Sequence, residues 1–176
     1  MKIPIFVISF ERLWCLKPCV AALEALGNIQ IVFIDNGSTY PPLTEFLKGE
    51  EAKGRRVYWE KPIKKTSQLY KVIKAKVAEW FSEIKEEAPP IYGLTDPDIV
   101  LDNPSPEFLV ACQTLLATTP SIEAVGPSLR VDDLPPFKLR ERIIKLHEKR
   151  FWSSSRLIHS DVLGVTMTKS PIDTTL

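Results

Sequence analysis

The apolar positions of this chain fall into two kinds of run. Residues 3–9 and 30–34 are continuously apolar, the pattern of strands buried on both faces of a parallel sheet. Residues 56–59 form a shorter run of the same kind. Residues 91–95, which lead into Asp96-Pro97-Asp98, form a fourth and are expected to be the central strand. Between these runs the apolar residues recur at helical spacing. Val20, Leu23 and Leu26 mark the inner face of a helix expected from about Lys17, because Pro18 suits a first turn, to Gly27 as its stop. Pro41 and Pro42 open a short helix to about Lys48. Thr66 or Ser67 caps a long one to about Glu87, with Leu69, Ile73, Val77, Trp80 and Ile84 along one side. Strand alternating with helix predicts an α/β protein, a three-layer α/β/α fold with a mostly parallel sheet.

The pattern changes in the second half. Residues 105–118 read as a helix, 123–126 as a strand, and 129–136 as a loop carrying Asp132 and Asp133. Residues 137–150 read as an amphipathic helix with six basic and two acidic residues, expected to be a solvated face over a stripe packed through Leu139, Ile143 and Leu146, with an anionic acceptor or a membrane surface as the alternative partner of its basic side. Residues 157–158 and 162–168 read as two short strands, an antiparallel pair at the sheet's edge.

Composition narrows the function classes. A chain of 176 residues with 44% hydrophobic and 26% charged residues is one ordinary domain with a real core. A net charge of +1 argues against wholesale nucleic-acid binding. The three cysteines are too few and too scattered for a disulfide framework or a zinc site. No run approaches the roughly 18 apolar residues of a membrane span, and the N-terminus lacks a signal-peptide layout, so a cytoplasmic protein without a transmembrane segment is expected.

The candidate chemistry gathers where strands end. Asp96 and Asp98 flank Pro97, which holds Asp96 in extended geometry, so both side chains are expected on one side just past a strand. Two such carboxylates suit a hard divalent cation. Turn formation or helix capping by Asp98 or Asp102 is the plainer alternative. Asp35-Asn36-Gly37-Ser38 closes the second strand, where an acid meets a ribose or a base in doubly wound sheets. Asp35 capping its own loop is the alternative there. The first strand's exit, Ser9-Phe10-Glu11-Arg12, offers backbone groups and a guanidinium to a nucleotide, or leaves Arg12 as a surface residue. Neither a G-x-G-x-x-G nor a P-loop sequence occurs.

These motifs, in this order, resemble glycosyltransferases of the GT-A fold grouped with the family-2 enzymes. The resemblance rests on residues 5–12, the loop Ile34-Asp35-Asn36-Gly37-Ser38-Thr39 and the signature Thr95-Asp96-Pro97-Asp98. Residues 125–135, Phe151-Trp152 and residues 171–175 are similar to a small bacterial and viral subgroup. It implies a nucleotide-sugar donor, UDP- or GDP-linked, with Mn²⁺ or Mg²⁺, and a carbohydrate, lipid or protein acceptor. Asp98 then matches the direct metal ligand. Asp96 matches a residue facing the donor ribose or the metal's waters, and Asp35 the acid contacting the base. Residues 1–102 would form the nucleotide-sugar half of one domain and residues 103–176 the acceptor half. An inverting enzyme needs a carboxylate base, for which Asp133 and Asp173 are the candidates, with His159 and Asp161 behind them. Enzymes of this kind continue past the Ile172-Asp173-Thr174-Thr175 stretch, so a shortened acceptor half is expected. A non-catalytic nucleotide-sugar-binding remnant and a sugar nucleotidyltransferase are the alternatives. The latter's Gly-rich loop after the first strand is absent.

Overall fold

Three continuous apolar runs and one short one become a four-stranded, all-parallel sheet. Its strands are β1 (Ile3–Ser9), β2 (Ile29–Asp35), β3 (Arg56–Trp59) and β4 (Gly93–Thr95), in the order β3-β2-β1-β4. The computed structural model describes residues 2–84, 91–101, 104–127, 134–151, 157–160 and 165–168. Its helices are α1 (Leu13–Glu24), α2 (Pro41–Ala52), α3 (Thr66–Ile84), α4 (Pro106–Thr118) and α5 (Arg140–Phe151). The chain divides into two compact units, Met1–Leu109 and Val110–Thr175, with the boundary inside α4.

In the first unit, alternation along the strands sorts two cores. Ile5 and Val7 of β1, Ile31 and Phe33 of β2, and Val57 of β3 point to one face, where Leu16, Cys19, Val20 and Leu23 of α1 and Leu43 and Leu47 of α2 cover them. Phe6, Ile8, Val32, Ile34 and Tyr58 point to the other, against Ile73, Val77 and Trp80 of α3. Right-handed crossovers require this arrangement. The chain steps outward from β1 through β2 to β3 with α1 and α2 on one side. It then returns past β1 to β4, which sends α3 to the opposite side. The registers Ile3↔Ile29 through Ser9↔Asp35 and Ile5↔Gly93 through Val7↔Thr95 bring the carboxyl ends of β1, β2 and β4 to one edge.

Several expectations are corrected. The first helix begins at Leu13, not near Lys17, with Leu16 N–H donating to Arg12 O at 3.2 Å. Pro18 therefore lies inside it. Burial of Cys15, Leu16 and Cys19 beneath the sheet face outweighs the missing N–H, and Pro18 itself faces outward. The helix ends at Glu24, three residues before Gly27, which does take a left-handed φ of +68°. The second helix runs past Lys48 to Ala52, where buried Glu50 pairs with Lys53 at 2.7 Å and Arg55 at 2.6 Å. The fourth strand is an edge strand of the described sheet, not a central one, and it is only three residues long. Residues 123–126 form no strand; Ile122 N–H donates to Thr119 O at 2.9 Å in a turn just before them.

In the second unit, β5 (Leu157–Ser160) and β6 (Val165–Thr168) pair antiparallel in a two-stranded sheet of their own. Leu139, Ile143 and Leu146, expected to be the packed stripe of α5, are exposed instead, while Ile144 is half-buried. No helix among the described residues is long and apolar enough to cross a membrane.

Candidate functional site

Strand order reverses between β1 and β4, and in open α/β sheets such a switch point opens a crevice at the strands' carboxyl ends. The residues that frame it come from four separate loops. The loop after β2 is built around Asp35, whose Oδ1 accepts from Ser9 Oγ at 3.0 Å and Ser38 Oγ at 2.6 Å, and whose Oδ2 accepts from Ser38 N–H at 2.8 Å. Asp35 is 1% exposed. Asn36, also buried, clasps Ile63 in the next loop: its Nδ2 donates to Ile63 O at 3.2 Å, and its Oδ1 accepts from Ile63 N–H at 2.8 Å. Gly37 takes a φ of +74° and lies so close to Pro62 that a Cβ would stand 2.4 Å from the proline Cδ. Together these bonds fasten the exits of β1, β2 and β3 into one rigid rim.

Glu11 completes the rim, a role the sequence alone did not suggest. It sits at φ +57°, a costly conformation for a side chain with a Cβ. From there its carboxylate accepts from Thr39 N–H at 2.6 Å, Thr39 Oγ1 at 2.9 Å and Tyr40 N–H at 2.9 Å. The Thr39 N–H, above all, holds the Glu11 carboxyl below its ordinary pKa; desolvation opposes it, and the Thr39 hydroxyl and the Tyr40 N–H add to the lowering. The signal was available: α2 opens on Tyr40-Pro41-Pro42, with no side-chain cap of its own, so its positive end calls for an acceptor from elsewhere.

Arg12 Nη1 donates to Asp98 Oδ2 at 3.0 Å across the switch point, with the two side chains 57% and 44% exposed. Asp96 lies half-buried at the exit of β4, and its backbone carbonyl accepts from the Cys19 thiol at 3.7 Å. Burial raises the Cys19 thiol pKa to about 12, and the charges of Cys15, Asp98 and Asp96 add to the rise. Asp98 is in a turn and not in extended strand geometry, so extended backbone does not aim the two carboxylates to one side as expected.

The six nucleotide candidates thus fall into two sets. Ser9, Asp35 and Asn36 are buried and bonded within the rim, which is the plainer role foreseen for Asp35. Phe10 and Arg12 are exposed and Asp96 half-exposed beside Asp98. Asp133 and Asp173 lie outside the described residues, as do Asp102, Asp132 and Asp161. Among the described residues no group of three or more His, Cys, Asp or Glu side chains is arranged to hold a metal. Asp96 and Asp98 are the residues at this strand exit that could hold a divalent cation. The guanidinium of Arg12 already stands where Asp98 draws positive charge. No protein-family model, curated protein or solved structure matches the chain.

Proposed function

We propose that this chain is a metal-dependent glycosyltransferase of the GT-A type, moving a sugar from a UDP- or GDP-sugar to an acceptor hydroxyl. The observation that carries the reading is the Arg12–Asp98 pair at the β1/β4 switch point, with Asp96 one turn residue away. This is the position where an open α/β sheet receives a phosphorylated ligand.

Asp98 and Asp96 would hold Mn²⁺ or Mg²⁺, which supplies charge neutralisation to the diphosphate leaving group. Arg12, released from Asp98 as a diphosphate arrives, offers a charge-assisted donor to its oxygens. Exposed Lys61, Lys64 and Lys65, on the loop that Asn36 fixes, add positive charge at the same end of the sheet. The rim built on Asp35 and Glu11 keeps these donors in place, so little order has to be gained on binding. Phe10, exposed at the exit of β1, offers a ring face to a base.

A thermal-shift series tests the proposal. A ligand at about a hundred times its Kd stabilises by about 2.7 kcal/mol, which in a chain of this length raises Tm by roughly 5–10 °C. UDP or GDP is expected to give this rise only with Mn²⁺ or Mg²⁺ present, and Asp98→Ala to remove it. No rise with any nucleotide diphosphate and metal would overturn the reading. A rise without donor hydrolysis or transfer would make the chain a nucleotide-sugar-binding protein instead.

A further inference from the structure

The helix α5 presents two adjacent exposed stripes. Leu139, at the position before the helix, donates no side chain to a core: it is 50% exposed, Ile143 is 42% exposed and Leu146 is 58% exposed. Leu139 O accepts from Ile143 N–H at 3.0 Å, so the three residues already stand at true helical spacing, one above another. Lys138, Arg142 and Lys145 recur with the same spacing one residue earlier, which sets a basic stripe directly beside the apolar one, and all three are exposed. Among the described residues no carboxylate pairs with them. Glu141 falls two residues from both Leu139 and Ile143, on the far side of the helix.

The charge is concentrated here. Residues 137–151 carry six basic and two acidic side chains, a surplus of four, whereas the whole chain carries +1. The remainder of the chain is therefore net negative. A negatively charged surface would attract this helix more strongly than the rest of the chain. Exposed apolar side chains bordered by lysine and arginine are what an interfacial helix needs, with leucine and isoleucine entering the acyl boundary while the cations meet the headgroups. A nucleic acid would use the cations and leave the apolar stripe in water. A second copy of the chain would bring like charge against like.

We propose that α5 is a docking helix for anionic phospholipid membranes, with Leu139, Ile143 and Leu146 as the inserting stripe and Lys138, Arg142 and Lys145 as the headgroup contacts. The inference does not depend on the glycosyl-transfer reading. Were both correct, the acceptor would be met at a lipid surface.

Vesicle co-sedimentation of the full chain tests it, using phosphatidylcholine vesicles with and without phosphatidylserine. Binding is expected with phosphatidylserine and to be weaker by more than about tenfold without it. Arg142→Glu with Lys145→Glu is expected to abolish binding. Ile143→Ser with Leu146→Ser is expected to weaken it by about tenfold or more although no charge changes. All four residues are exposed, so the variants should keep the parent's circular dichroism and Tm, and this is checked in parallel. No sedimentation with phosphatidylserine vesicles at low salt would overturn the proposal. So would binding that the serine variant leaves unchanged, since that is simple charge attraction. A dimer in solution that the serine variant turns into a monomer would overturn it too, by assigning the stripe to a second copy.

Discussion

Gly37 and Pro62 meet more closely than any side chain at residue 37 would allow. Alanine there has to hold a φ of +74°, which costs roughly 1–2 kcal/mol, and has also to push a rigid proline ring from 2.4 Å. Gly37→Ala is expected to lower stability by more than about 2 kcal/mol, a fall in Tm of roughly 4–8 °C, read by calorimetry. Arg12 makes the opposite case. Its bond to Asp98 is exposed, so Arg12→Ala is expected to cost less than about 1 kcal/mol of stability. If the site takes a diphosphate, the same change removes a charged hydrogen bond and weakens UDP or GDP binding by about tenfold to a hundredfold in titration calorimetry with Mn²⁺. A large loss of Tm with unchanged affinity would make Arg12 structural. The motif residues were legible in sequence, but their division of labour was not. Ser9 shares a motif with Phe10 and Arg12, yet it is bonded to Asp35 under the surface, while Asn36 is bonded to Ile63. Hydrogen-bond partners 26 or 27 residues apart leave no mark on local spacing.

Helix α1 shows how an element can override its own sequence. A proline at its sixth residue removes the N–H that would reach Trp14 O, and local propensity alone therefore starts the helix later. Packing of Cys15, Leu16 and Cys19 on the sheet outweighs that loss. Pro18 is exposed, so nothing in the core depends on its ring. Pro18→Ala is expected to raise stability by about 1–2 kcal/mol, less than the full helix-interior difference because the unfolded chain also gains freedom. A denaturant midpoint shifted upward at constant slope is the expected readout, and a downward shift would mean the proline sets the angle at which α1 meets the sheet. Helix α5 errs the other way. Its periodicity named the stripe Leu139, Ile143 and Leu146 correctly and its partner wrongly, because an amphipathic pattern says that a face is apolar and not what covers it.

At the scale of the molecule, the core beneath the site carries a pH limit. Cys19 is fully buried, and its thiol pKa is raised from 9.0 to about 12, first by burial and then by the neighbouring Cys15 and the carboxylates of Asp98 and Asp96. The folded thiol keeps its proton at a pH where the unfolded thiol has lost it. Stability is therefore whole below pH 9 and falls as pH rises from about 9 to about 12, by at most about 1.4 kcal/mol per pH unit. Urea denaturation across that range is expected to show this alkaline limb, with Cys19→Ala flattening it while lowering stability at neutral pH through the cavity. In the same range Cys19 is expected to resist alkylation in the folded protein.

The apolar runs by themselves determined that the first hundred residues make a parallel α/β sheet with helices on both faces. A strand whose neighbours alternate between two buried faces has no other place to go, and crossover handedness then fixes which helix covers which face. The same runs could not tell that β4 would lie at the described sheet's edge. Nor could they join Arg12 to Asp98, 86 residues apart. Strand order decided both, since it is set by which chain segments pair and not by what any one segment prefers.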